Sequence, residues 1–349
     1  MGPQAVTAIP RKAPSCESPE VSRLCLGTMM FADQTDETEA ARILDAYFEA
    51  GGDFIDTADT YVDGESERML GRLLRERRKS CFLATKVGNP LKTDPKSGGT
   101  SRQWIARAAE DSLDRLQSNV IDLYYLHIDD NVTPLEETIG ALGELIAADK
   151  VRHWGFSNFR AWKIAEMIRV ADNLGVARPV AAQPYYHMLN RVVEMEYLPA
   201  CMHFGIGAVA YSPLARGVLT GKYRGDVVPE GSRVARKETR MMETEFRKET
   251  IGAANRAADH AIATGRDPVG LAIQWVLANE AVASVLIGPK DLAQFKAYLG
   301  AVTTDYTAED EDMLSALCAS GQTPVAGHSD PRYPYRGRVT KFPLAGVTP

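Results

Sequence analysis

A chain of 349 residues with 45% hydrophobic and 25% charged positions carries enough apolar material for a large core, as one barrel or as two smaller domains. Its formal charge of −6 argues against broad attraction to nucleic acid or to an anionic membrane, so an anionic ligand would have to be met by a few placed cations. The five cysteines (16, 25, 81, 201 and 318) form no C-x-x-C pair and leave an odd number, which points away from a disulfide framework and toward a reducing, cytoplasmic setting.

Residues 1–20 bear prolines and no apolar run of signal-peptide length, and they read as a flexible N-terminal tail ahead of a single domain over 21–349. From there β-rich runs and helical stretches alternate. "RLCLG" (23–27) precedes the helical pattern "ETEAARILDAYFEAG"; "DFIDT" (53–57) and "CFLATK" (81–86) follow. "SRQWIARAAEDSLDRLQ" leads into "VIDLYYLH" (120–127), and "PLEETIGALGELIAAD" into "VRHWGFS" (151–157). "VAAQP" (180–184), "IGAVAYS" (206–212), the helical "DPVGLAIQWVLAN" and "ASVLIG" (283–288) complete the series. Strict alternation implies a parallel sheet. Eight such units predict an α/β fold closed as a (β/α)8 TIM barrel, for which about 250 residues is typical. The surplus falls in long loops on the C-terminal face, residues 88–100 and 217–247, and in a C-terminal tail. No run approaches the roughly 20 apolar residues that span a bilayer.

Two glycine patterns resemble phosphate-binding motifs and fail on position. "GIGAVA" (205–210) precedes a strand where a dinucleotide fingerprint would follow one, so it reads as a turn, and an open doubly wound sheet loses its main support. "GVLTGK" (217–222) has one residue too few between its glycines, and Tyr223 stands where a P-loop carries Ser or Thr.

In a closed barrel the C-terminal strand ends face one pocket, however distant they are in sequence. This rule collects Asp56 and Tyr61, Lys86, His127, Ser157 with Asn158, Gln183, and Tyr211 with Ser212. Singly, Asp56 reads as a turn former, Tyr61 as a rim aromatic, Lys86 as a surface charge and His127 as an ordinary bonded histidine. Converging, they form a proton-transfer set. A free tyrosine titrates near pH ~10, and an adjacent ammonium such as Lys86 should lower it, provided a carboxylate such as Asp56 keeps the lysine charged. His127 is then placed to hydrogen-bond a carbonyl oxygen. No metal site is expected, because the six histidines contain no H-x-H or H-x-x-x-H pair.

The segments "GDFIDTADTY", "LATK", "DLYYLH", "GFSN", "QPYY" and "AYSPLARGVLTGKY" closely resemble those of the aldo-keto reductase superfamily, above all the branch with the potassium-channel β-subunits and bacterial aldo/keto reductases. The resemblance spans about residues 20–300. It implies a barrel that binds NADP(H) without a Rossmann domain and interconverts carbonyl compounds with alcohols. It makes Asp56, Tyr61, Lys86 and His127 the catalytic tetrad, with Tyr61 as general acid. It further assigns Ser157, Asn158 and Gln183 to the nicotinamide carboxamide and Tyr211 to stacking on the ring, with Gly27, Thr28 and Met29 beside it. Ser212, Pro213, Leu214, Arg216, Gly217 and Lys222 match the pyrophosphate loop. Lys290, two positions after Gly288, matches a contact to the 2′-phosphate, Gln294 matches another family contact to the cofactor, and Arg233 matches the loop that folds over it.

Ala297 and Tyr298 depart from the family's Glu-Asn pair at the adenine. The rival implied by the same resemblance is a cofactor-binding docking subunit; that branch typically has asparagine where this chain has His127, which favours an enzyme. A barrel hydrolase is the other rival and lacks a metal set or an activated nucleophile. Met30, Phe31, Tyr185, Tyr186 and the tail "HSDPRYPYRGR" are candidates for the pocket mouth, and the expected partner is a small carbonyl or alcohol. Self-association is compatible with the sequence.

Overall fold

The computed structural model describes residues 8–225, 227–328 and 330–333. Its central feature is a closed barrel of eight parallel strands: β1 (Leu24–Gly27), β2 (Phe54–Asp56), β3 (Phe82–Val87), β4 (Ile121–Leu126), β5 (Val151–Ser157), β6 (Ala181–Gln183), β7 (Gly207–Tyr211) and β8 (Val282–Ile287). Neighbours follow chain order, and β8 pairs with β1 to close the ring. The sequence-derived strands match these with no boundary moved by more than one residue.

Alternation along each strand divides the apolar residues into two sets. Leu24, Leu26, Ile55, Leu83, Tyr124, Leu126, Trp154 and Phe156 belong to the layer shared with the surrounding helices. Cys25, Phe54, Phe82, Ala84, Leu123, Tyr125, Ala181 and Val209 form a separate cluster, which fills the barrel interior. Continuing that inward phase by two residues reaches Asp56, Lys86, His127, Gln183 and Tyr211. The same periodicity that packs the interior therefore also aims the candidate site residues at one point. Register agrees, with Asp56 opposite Ala84, Lys86 opposite Tyr125 and Ser157 opposite Gln183.

The helices start where side chains satisfy their first free backbone N–H groups. Asp36 accepts from the Glu39 amide ahead of helix Glu37–Glu49, and Ser101 from the Trp104 amide ahead of Arg102–Leu116. Asp267 accepts from Val269 and Gly270, with Pro268 in the first turn of Pro268–Leu277. Among the described residues no helix is long and apolar enough to cross a membrane.

At the barrel's N-terminal end, Arg11–Lys12 pairs antiparallel with Val21–Ser22, and Ile9 is buried. The Lys12 ammonium donates to the carbonyls of Glu280 and Val282 at 2.8 and 3.1 Å. A Cβ on Gly207 would fall 2.5 Å from the Pro14 carbonyl oxygen. Residues 8–20, expected as loose tail, are thus laid against the barrel floor by one apolar anchor and a few long-range hydrogen bonds that composition does not reveal. Residues 1–7 lie outside the described chain. "GIGAVA" is the turn expected, with Gly205 in left-handed backbone (φ +70°) just before β7.

The barrel leaves no room at Gly155, where a Cβ would lie 2.3 Å from the Ala181 carbonyl oxygen and 2.8 Å from the Tyr125 ring. Gly155→Ala should therefore destabilise the fold by about 1–3 kcal/mol, the usual cost of overpacking. Urea unfolding of the variant measures this; an unchanged midpoint would show that β4, β5 and β6 can spread.

Candidate active site

Asp56 and Lys86 are fully buried on adjacent strands. The Lys86 ammonium has three protons and three acceptors: Asp56 Oδ1 in a close ion pair, the Thr57 carbonyl at 2.6 Å, and the Tyr61 hydroxyl at 3.2 Å. Gln183 Nε2 donates to the other Asp56 oxygen at 2.9 Å. Burial by itself would lower the Lys86 pKa, but Asp56 and Tyr61 outweigh it and hold the ammonium above its ordinary range.

The expected lowering of the Tyr61 pKa is not what results. Burial raises it, the nearby Lys86 offsets only part of that rise, and Tyr61 ends above the ordinary tyrosine value. Its proton is in place at neutral pH. His127 meets Tyr61 edge-on, with ring centroids 6.2 Å apart. Burial, then the charges of Lys86 and Arg332, push its pKa well below normal, so the ring is neutral. Its Nδ1 is buried without a hydrogen-bond partner among the described residues.

These groups open into a cleft of about 950 Å³ at the C-terminal end of the barrel. Gly27, Met29, Asp56, Tyr61, His127, Ser157, Asn158, Gln183 and Tyr211 line its deep part. Ser212, Pro213, Leu214, Arg216, Gly217, Lys222, Arg233, Gly288, Lys290 and Gln294 line it too, as do Ala297 and Tyr298. Lys86 lies buried behind Asp56 and Tyr61. Thr28 is also buried, its hydroxyl donating to the Asp56 carbonyl at 3.1 Å and lying 3.1 Å from Ser66 Oγ, so its side chain braces β2 and does not face the cleft.

Of the mouth candidates, Met30 lines the cleft, and so do Arg332 and Tyr333 from the tail; residues 334–338 of that tail lie outside the described chain. Phe31 and Tyr186 are core residues. Tyr185 lies parallel to Tyr211, with centroids 5.1 Å apart and planes 13° apart, while the Arg216 guanidinium stands 5.7 Å from its ring centre. Tyr211 also donates its hydroxyl to Asn158 Oδ1 at 3.1 Å. Asn158 Nδ2 donates to the His127 carbonyl at 2.9 Å, and Ser157 Oγ to the Gln183 carbonyl at 2.8 Å. The Tyr211 wall is thus fixed from behind and from the side.

Backbone strain gathers around the same cleft. Tyr61 opens a tight turn whose next residues, Val62 (φ +51°) and Asp63 (φ +50°), both adopt left-handed conformations. That is costly for a β-branched residue. Asn158 (φ +62°), Ser212 (φ +58°) and Arg216 (φ +53°) share it, and strain of this kind persists where surrounding contacts hold it. Of these, only Asp63 and Asn158 are of residue types that hint at it in the sequence.

Lys222, Arg233, Lys290 and Arg236 form a cationic group at the outer end. Burial, then Arg233, Lys290 and Arg236, lower the Lys222 pKa. Arg233 pairs with Glu238 at 3.0 Å, but Lys222, Arg236 and Lys290 have no carboxylate within 4.0 Å among the described residues. Arg236 is the member that sequence reading passed over, although it stands three residues after Arg233 in "SRVAR".

A model of the aldo/keto reductase family matches residues 23–318. The chain belongs to the aldo/keto reductase family. It is 35% identical over 320 residues to an uncharacterized oxidoreductase, YrpG, of Bacillus subtilis (strain 168), an alignment covering 88% of this chain and 95% of that one. It is 34% identical to a probable voltage-gated potassium channel subunit beta of Arabidopsis thaliana, covering 81% of this chain and 88% of that one. A protein of the same description from Oryza sativa subsp. japonica is also 34% identical, with 77% and 83% covered. An aldo/keto reductase barrel with this cleft is a nicotinamide-dependent oxidoreductase by kind.

The neutral state of His127 has a consequence for stability. Below about pH 6.5 the unfolded chain takes up a proton at this position and the folded chain does not, so stability falls as pH falls. Replacing His127 by Asn removes that penalty. Urea unfolding near pH 7.5 and about pH 5.5 should show the stability gap between wild type and His127→Asn shifting toward the variant by up to about 1.4 kcal/mol per pH unit below 6.5. A gap independent of pH would mean that the folded histidine takes up a proton as readily as the unfolded chain does.

Proposed function

We propose that this chain is a cytoplasmic NADP(H)-dependent carbonyl reductase that interconverts aldehydes or ketones with alcohols, using Tyr61 as general acid in reduction and general base in the reverse direction. The observation that carries this reading is the Lys86 ammonium, bonded at once to Asp56 and Tyr61, with neutral His127 edge-on to the Tyr61 ring.

The cleft suits a dinucleotide. Tyr211, backed by Tyr185, offers a flat aromatic wall deep in the cleft, and the unpaired cations Lys222, Arg236 and Lys290 lie at the outer end. Position 288 is open, with no atom within 4 Å of where a Cβ would sit. Ser157, Asn158 and Gln183 supply amide and hydroxyl groups beside that wall, and Lys222 with Arg216 and the Ser212–Gly217 turn would hold the pyrophosphate. A reduced nicotinamide bound there supplies the hydride.

The residues of the chain handle the proton. Tyr61 and His127 both face the cleft, so a carbonyl oxygen can be hydrogen-bonded by both. As negative charge grows on that oxygen, Tyr61 gives up its proton, and Lys86 at 3.2 Å stabilises the phenolate left behind. Asp56 keeps Lys86 charged in a site that would otherwise neutralise it. His127, being neutral, donates a hydrogen bond without competing as an acid. The similarity to the plant potassium channel beta subunits raises a second reading, a docking subunit; His127 beside Tyr61 favours catalysis over it.

Tyr61→Phe should lower turnover of a generic aldehyde by about 10²–10⁴-fold while leaving NADPH binding nearly unchanged, because the hydroxyl acts in the transition state. Near-normal turnover in that variant would remove Tyr61 from the acid role.

Preference for NADP(H) is tested by Lys290→Ala. A charge-assisted hydrogen bond to a phosphate is worth about 1.5–3 kcal/mol, so NADPH affinity should drop roughly 10- to 150-fold with little change for NADH. Fluorescence titration with both cofactors reads this directly. An equal loss for each would place Lys290 away from the 2′-phosphate.

A further inference from the structure

We propose that the carbonyl substrate carries a carboxylate and that Arg332 is the residue that selects it. The inference rests on the reductase reading above and concerns the substrate side of the same cleft.

Residues 330–333 cross the cleft mouth and are tied at both ends. The Arg240 guanidinium grips both oxygens of Asp330, one at 2.9 Å, and Arg160 donates to the Tyr333 carbonyl at 2.9 Å. Between these ties Arg332 lines the cleft and donates to Asn89 Oδ1 at 3.0 Å. Asn89 is itself 5% exposed and follows β3 by two residues, so the bond reaches toward the catalytic strand ends. A guanidinium has five N–H donors, and Asn89 uses one.

No carboxylate of the described residues lies within 4.0 Å of Arg332, whereas Arg233 and Arg240 on the same cleft are both ion-paired. The cation is distinct from the phosphate-facing group. Its charge bears on His127, while the charges acting on Lys222 are those of Arg233, Lys290 and Arg236. An unpaired guanidinium at the mouth, on the side of the proton donors, fits the far end of a substrate whose carbonyl sits at Tyr61 and His127. Such a planar fork matches a carboxylate.

The test uses the full chain with NADPH and two aldehydes of like shape, para-carboxybenzaldehyde and its methyl ester. Wild type should show the lower KM for the acid. Arg332→Gln should raise that KM about 10-fold or more, leave kcat and the ester's KM nearly unchanged, and Arg332→Lys should recover part of the loss. Unchanged ester kinetics also certify that the variant is folded. If wild type reduces the ester but does not favour the acid, or if Arg332→Gln affects the two substrates alike, the assignment of Arg332 falls and the reductase reading stands. If neither aldehyde is reduced, both fall together.

Discussion

The ion pair between Lys86 and Asp56 is the interaction on which the site depends. Two charges out of contact with water are tolerated only if each remaining hydrogen-bonding position is filled, and here Thr57, Tyr61 and Gln183 fill them. Removing either partner would strand the other inside the barrel. The network therefore binds β2, β3, β6 and the loop after β2 into one rigid unit, and Tyr61 is positioned by the Lys86 charge.

Around this pair the barrel keeps two kinds of order apart. Below the site the interior is packed with Phe54, Phe82, Tyr125 and Val209, so water does not reach Lys86 from beneath. Above it, the rim is built from turns in left-handed backbone, with Arg233 and Arg240 tied to carboxylates. The outer cations are an exception. Held together without enough counter-charge, they repel one another in the free protein, and an anionic ligand would relieve that repulsion.

Much of this is legible in the residues, for identifiable reasons. The strands were readable because buried parallel strands are short apolar runs flanked by helical periodicity, and their ends followed directly. Asp56, Lys86, His127, Gln183 and Tyr211 converge because alternation is strict. What escaped depends on tertiary context. Thr28 turns inward because Ser66 and the Asp56 carbonyl lie close to it, Phe31 and Tyr186 are drawn into the core, and Tyr185 goes beneath Tyr211. Arg236 lies in a loop without a periodic signal. The rise in the Tyr61 pKa reflects the protein packed around its hydroxyl, which no local pattern encodes.

Strict alternation also sets how this scaffold tolerates change in length. Inserting or deleting one residue within β3 would turn Lys86 from the interior to the helix layer and bring Thr85 or Val87 inward, so the charge network would be lost in one step. The long connections after β3 and β7 carry no such phase. Residues can be added there without rotating any strand, which leaves loop exchange as the natural route to new substrate ranges on an unchanged chemical centre.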